Sequence, residues 1–211
     1  MISFVVSGEM ALYRKPYTTV SPVSFLVPTK RNIRGMLSAV IGIPPEYIEG
    51  QISVIPLRKL HRKTFQISLL NLKRSAPSFR ILSPISVVWK PQYQIIYRGN
   101  YEDRLYRYLS TRQAVFPINL GVHWAHASIS SVRKLAAQEV HSSYVDSALY
   151  LTPSLLPQYP LQYDTAIVEE ADGYSIYVGY PLMFKESVPV LLDVEGHRHF
   201  VLFDLEEIAD A

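Results

Sequence analysis

Arg58, Lys59, Arg62, Lys63, Lys73, Arg74, Arg80 and Lys90 fall within residues 58–90, a stretch that contains no aspartate or glutamate. His61, Phe65, Phe79 and Trp89 are interleaved with them. Cations follow a phosphate backbone and rings stack on unpaired bases, so this composition suits single-stranded nucleic acid. Lys30, Arg31 and Arg34 form a second group, at the start of a segment whose spacing predicts a helix. There the macrodipole disfavours cations and the free N–H groups favour an anion, which is what a phosphate needs. A plain solvated face is the alternative for this cluster. Tyr13 and Arg14 place a ring beside a cation, so Tyr13 can stack on a base while Arg14 holds a phosphate. Taken without further context, those two residues favour a core tyrosine beside a surface arginine.

Catalysis has a narrower footing. Metal-free RNA cleavage needs a base for the 2′-hydroxyl, an acid for the leaving oxygen and a cation for the developing charge. His61 with Lys59 or Lys63, plus a tyrosine such as Tyr13, supplies those types, although a histidine flanked by cations also occurs in plain RNA binders. His123 with His126, and His197 with His199 on one face of a strand, each offer two metal ligands without a third at a recognisable spacing. Neither a metal nor a cofactor is expected. Glu169-Glu170 and Glu206-Glu207 read as solvated surface. No Walker loop, Gly-x-Gly-x-x-Gly or Gly-x-Ser-x-Gly motif is present. The absence of cysteine excludes disulfides, zinc–thiolate sites and a thiol nucleophile.

The elements that must carry these residues can be read from periodicity. Residues 2–6 alternate and predict a strand. In PTKRNIRGMLSAVIG (28–42), Thr29 caps a helix whose Ile33, Met36, Leu37, Val40 and Ile41 share one face. Gly42 ends it, and Pro44 and Pro45 forbid its continuation. Gly35 in mid-helix costs about 1 kcal/mol against alanine, which suggests a close approach to the helix backbone there. Ile52–Leu57 predicts a strand, and 58–90 a long β-hairpin built from Thr64–Leu70, Phe79–Leu82 and Ile85–Trp89. Tyr93–Tyr97 is the next strand. Gly99-Asn100 then leads into a second helix with Tyr101, Leu105, Tyr108 and Leu109 on one face, and a return strand follows near His126–Ile129. Strand, helix, two strands, helix, strand is the order of a ferredoxin-like, RRM-like βαββαβ unit. From Ser130 the chain is rich in Tyr, Pro and β-branched residues, and Val188–Val194 with His197–Phe203 predict a closing hairpin. The expected architecture is therefore α+β. A body spans 1–130, with the hairpin as a thumb at about 58–90, and a β-rich subdomain spans 131–211.

Charge divides along the same line. Through Arg98 there are 14 Lys and Arg against 3 acids, and from Gly99 onward 7 against 15. Such a split points to a polyanionic partner on one side and a different contact on the other, or to two halves that neutralise each other across an interface. The opening MISFVVSGE lacks a basic segment with a long apolar core, and no apolar run reaches about 18 residues. A cytoplasmic protein with no membrane contact is expected.

Gly8, Ala11, Tyr13, Arg14 and Pro16 form G-x-x-A-x-[aromatic]-R-x-P after the first strand. The Pro-Thr-capped helix, the basic hairpin, the second short helix and Leu120-Gly121 follow in order. This pattern resembles the CRISPR-associated protein family five, a RAMP-superfamily subunit of type I Cascade surveillance complexes. The resemblance implies a non-catalytic ribonucleoprotein subunit of antiviral defence that holds the 5′ handle of the crRNA. It implies contacts with the repeated backbone subunit and the large subunit, and an indirect link to target DNA. By position, Tyr13, Arg14, Lys30, Arg31 and Arg34 would face the handle. Arg58, Lys59, His61, Arg62, Lys63, Lys73, Arg74 and Arg80 would lie where handle meets guide. One branch of the family cuts precursor crRNA without metal, which keeps the endoribonuclease open as an alternative. A scaffold whose basic face meets an acidic protein is the other.

Overall fold

The computed structural model describes residues 1–16, 18, 21–70 and 80–205. The chain opens with β1 (Ile2–Ser7), then the short strands β2 (Met10–Ala11), β3 (Tyr13–Arg14) and β4 (Ser24–Phe25). Helix α1 (Lys30–Ile41) begins where expected, with the Thr29 hydroxyl accepting the Asn32 N–H at 3.3 Å. It ends on Gly42 at φ 69°, in the left-handed region that glycine enters without a side-chain penalty. Its five predicted apolar residues are all buried. Next come β5 (Gly50–Pro56), the hairpin strands β6 (Arg62–Leu70) and β7 (Arg80–Trp89), β8 (Gln92–Gly99) and α2 (Glu102–Ser110).

Five strands form the main sheet. β9 (Ser128–Lys134) and β16 (Phe203–Asp204) complete the order β16-β5-β8-β1-β9, with every neighbour antiparallel. Without β16 this is the ferredoxin-like arrangement expected from the element order. The hairpin leaves the body between β5 and β8 as two continuous strands, registered from Arg62–Val88 to Leu70–Arg80, where sequence alone suggested three short pieces. The return strand starts later than His126, at Ser128. Both faces of the sheet are covered. Phe4, Val54 and Ile95 pack with Ile33 and Leu37 of α1 on one side. Ile55 and Ile96 pack with Leu135 and Phe200 on the other.

The second half of the chain is β-rich. β10 (Ala137–Val145), β14 (Leu182–Asp193) and β15 (Arg198–Phe200) make one three-stranded sheet. β11 (Leu149–Leu151), β12 (Ile167–Ala171) and β13 (Tyr174–Val178) make another. The Arg133 guanidinium of β9 pairs with Asp193 of β14, a carboxylate with no solvent exposure, and so ties the first of these sheets to the body. The second sheet meets the start of α1, where the Tyr150 hydroxyl donates to the Pro28 carbonyl at 2.7 Å. A boundary at residue 130 falls inside β9, and one hydrophobic core runs from Phe4 to Leu205 across it. Among the described residues no helix is long and apolar enough to cross a membrane.

Candidate nucleic-acid interface

The root of the thumb carries a ledge of rings and cations. Successive residues of a strand point to opposite faces, so Lys63 and Phe65 share a side that Arg62 does not. Trp89 reaches that side from β7, its backbone N–H donating to the His61 carbonyl at 3.0 Å. The Phe65 and Trp89 rings lie 5.7 Å apart, and the Lys63 ammonium sits 4.2 Å from the Trp89 ring centre. The Lys90 ammonium approaches the same ring at 5.9 Å and Glu9 at 3.9 Å. A cation within about 6 Å of a ring is attracted by its negative face. Phe65 remains 38% exposed, so the ledge presents both an open π-face and positive charge.

Lys90 also lines a cleft of about 510 Å³, bordered by Gly8, Glu9, Arg58, Trp124 and His126 among others. That volume lies within the range of about 300–1,000 Å³ found for small-ligand sites. Trp124 is 40% exposed. Arg58 is steered by a 2.8 Å bond from its guanidinium to the Gln92 side-chain oxygen. Asn119 satisfies its surroundings best with its amide nitrogen toward His126, donating to Nδ1 at 3.2 Å. Gly8 explains how the wall closes. A Cβ there would stand 2.6 Å from Leu120 Cδ1 and 2.8 Å from the His126 carbonyl oxygen. The Leu12 N–H donates to the Leu120 carbonyl at 3.0 Å, so the N-terminal motif and the Leu120-Gly121 segment are one unit in space.

The remaining sequence-derived candidates divide. Lys59 and His61 are exposed near the root, and Arg31 lies on the outer face of α1. The guanidinium of Arg14 bonds the Thr18 carbonyl at 3.1 and 3.3 Å. Tyr13 is buried against Tyr93, with ring centres 6.2 Å apart, and burial pushes both phenols well above their usual range. The Tyr13 ring has no solvent exposure and so offers no face on which a base could stack. Lys30 is buried, its ammonium 5.2 Å from the Tyr174 ring, while Arg34 is half-buried. Lys73 and Arg74 lie outside the described residues, as does the Arg80 side chain. Gly35 has nothing within 4 Å of where its Cβ would stand, so no part of the described chain makes the close approach that its cost suggested.

Glu169 overturns its reading as solvated surface. Its side chain is 2% exposed and takes Arg62 and Lys15 on one oxygen, Lys15 at 2.7 Å. The other oxygen accepts the Leu26 N–H at 2.7 Å. Here the two oppositely charged halves do neutralise each other. Trp124 is the ledge's largest neighbour missed from sequence. It sits in a segment without periodicity, and only its rarity, as one of two tryptophans, marks it. The histidine pairs do not gather ligands. His197 lies in a turn at φ 51°, before the strand that holds His199, and no cluster of three potential ligands exists among the described residues.

No family model and no curated protein matches the sequence. Solved structures do match. A chain of a "CRISPR RNA-guided surveillance complex" is 14% identical with a TM-score of 0.51, over 89% of this chain and 91% of that one. A CRISPR protein from Archaeoglobus fulgidus is 12% identical with a TM-score of 0.52, over 95% and 99%. A chain of the Type III-B Cmr-beta complex bound to cognate target RNA and AMPPnP is 9% identical with a TM-score of 0.51, over 86% and 85%. At such identities the likeness is one of fold. The chain shares the fold of these CRISPR-associated proteins.

Proposed function

We propose that this chain is a non-catalytic RNA-binding subunit of a CRISPR effector complex, and that its thumb root grips the 5′ handle of the crRNA. The observation that carries this reading is the continuity of the Lys63–Phe65–Trp89–Lys90 ledge with the Arg58–Trp124–His126 cleft through Lys90. A single strand lying along it meets alternating charge and π-surface, the combination that holds unpaired nucleotides. The solved structures that share the fold include chains of a surveillance complex and of a complex bound to target RNA, which supports placement in such an assembly. The backbone and large subunits are the protein partners that the family resemblance supplies. The bare helix surface at Gly35 offers one place for a neighbour to approach closely. Cleavage is left out of the proposal because the Tyr13 phenol is buried in the core, apart from His61, which stands exposed at the root.

The test is a titration of the purified protein with repeat-containing RNA in EDTA across a salt series. Binding without cleavage is expected, with a log–log salt slope of about −0.7 per phosphate neutralised. A discrete cut within the repeat would overturn the non-catalytic part. Salt-independent binding, or binding unaffected by the joint substitution Arg58→Gln, Lys63→Gln and Lys90→Gln, would overturn the interface.

A further inference from the structure

The thumb is held to the body from two sides of different kinds. Along β7 the attachment is backbone pairing. Met10 and Ala11 pair with Trp89 and Val88, and the Ser86 N–H donates to the Pro22 carbonyl at 2.8 Å. Ile85 and Val87 of β7 also pack on Leu12, so this edge of the hairpin is seated while the bearing of the opposite strand rests on side chains. The β6 side has no such backbone neighbour in the described sheets. Its root is instead caught by side chains from the second half of the chain, more than 100 residues later. The Arg62 guanidinium bonds Glu169 of β12, and its Nε donates to the Ser24 carbonyl at 2.7 Å. Two residues earlier, the Leu60 N–H donates to the Tyr180 hydroxyl oxygen at 2.9 Å.

We infer that Glu169 is a positioning residue. Together with Tyr180 it forms a latch on the β6 edge of the thumb root that fixes the bearing of the ledge against the cleft. Three features single out Glu169. It is the one buried member of an adjacent carboxylate pair, whereas Glu170 faces solvent. Both of its oxygens are used, and its three donors come from three segments: Lys15 after β3, Leu26 after β4, and Arg62 at the start of β6. Its β12 backbone belongs to a separate sheet, so the latch couples the β-rich second half to the position of the thumb. A buried carboxylate serving one cation would need only one partner; a carboxylate gathering three segments at a root works as a locating pin. The pin's charge also removes Arg62 and Lys15 from the set of cations available to a polyanion.

The native chain has no cysteine, so Ser68→Cys on the exposed side of β6 and Ser110→Cys at the end of α2 give two clean sites for spin labels. Distances between them report the thumb's bearing without RNA, so failure here is separate from failure of the RNA-binding reading. With Glu169 intact a single narrow distance distribution is expected. Glu169→Gln keeps an oxygen for the Leu26 N–H but removes the charge, and should broaden the distribution or add a second maximum in a protein that still unfolds cooperatively. Tyr180→Phe removes only the acceptor for Leu60 and should broaden it less. It decides the matter if Glu169→Gln does not fold. Glu170→Gln should leave the distribution unchanged. Unchanged distributions in Glu169→Gln and Tyr180→Phe, or equal broadening in Glu170→Gln, would overturn the latch.

Discussion

Arg62 and Lys63 are neighbours in sequence and lie in different worlds. Arg62 turns inward to Glu169 and the Ser24 carbonyl, while Lys63 turns outward over Trp89. The same division separates Lys15, tied to Glu169, from Lys90, which is 53% exposed over the tryptophan. Strand alternation makes the split unavoidable, since a continuous run of basic residues on a two-faced ribbon cannot all reach one ligand. What decides the outcome is whether the face meets a buried carboxylate. The basic thumb root therefore contains two populations, one that holds the fold and one that is open to a polyanion.

The largest effect should come from removing the carboxylate that separates them. Glu169→Ala leaves the Arg62 and Lys15 charges without their carboxylate at a site where each is already more than half enclosed. Loss of one partner from a buried ion pair costs roughly 3–5 kcal/mol, and partial exposure of both cations places this site near the lower end. Chemical denaturation should show that loss. Lys63→Ala and Lys90→Ala should each stay within about 0.5 kcal/mol of the parent, as exposed substitutions do. Equal losses in all three would erase the distinction.

Asp193 sharpens the comparison because it is an equally buried clamp with no connection to the thumb. Burial alone would raise its carboxyl. The Arg133 guanidinium and the backbone N–H groups of Gly196 and Glu195 outweigh burial and hold it below its ordinary value of 3.8. A depressed value in the folded state means stability that is present above pH 3.8 and lost as pH falls through the lower, folded-state value. Asp193→Asn should therefore be less stable than the parent at neutral pH, by about 3 kcal/mol for a broken buried pair. The gap should narrow only in acid, below pH 4. RNA affinity measured well inside the folded range should be unchanged. A drop in affinity as large as that of a ledge variant would mean that general loosening, rather than the ledge, governs binding.

On the open side, Trp89 is the ring that Lys63, Lys90 and Phe65 all address. Base–aromatic stacking is worth about 1–3 kcal/mol per base. Trp89→Ala should therefore weaken RNA binding by about tenfold or more, read by titration at fixed salt. Trp89→Phe should recover part of the loss, because a smaller ring still offers a π-face. If Trp89→Phe binds no better than alanine, the ring's packing rather than its stacking surface is what matters.

Much of this arrangement is legible in the amino-acid sequence. The helix at 30–41 followed from five apolar residues at helical spacing between a threonine cap and Gly42, all of them local signals. The hairpin followed from β-prone segments around a polar stretch. The faces were not legible in the same way. Period-two alternation says that Arg62 and Lys63 diverge, but which of them meets Glu169 depends on a strand more than 100 residues away. Glu169 itself, beside Glu170, carries no local mark of burial, and only the packing of β12 against the thumb root distinguishes them. Tyr13 and Lys30 are buried for a reason of the same kind. Their covering residues, Tyr93 and Tyr174, arrive from distant parts of the chain. Trp124 and His126 came together with Gly8 through a loop that has no periodicity at all.

The smallest effect bears most directly on the comparison, since it sets the two adjacent cations against each other. Log affinity for single-stranded RNA falls with log salt by about 0.7 for each phosphate neutralised. A cation that meets a phosphate contributes to that slope; one neutralised by a buried carboxylate does not, whatever its removal does to stability. Lys63→Gln should therefore flatten the slope by about 0.7 and leave the denaturation midpoint nearly unmoved. Arg62→Gln should lower the midpoint and leave the slope intact in the concentration range where the protein is folded. The reverse pattern would mean that Arg62 releases Glu169 when RNA arrives. The latch would then open on binding, and the division between structural and RNA-facing cations would belong to the free protein only.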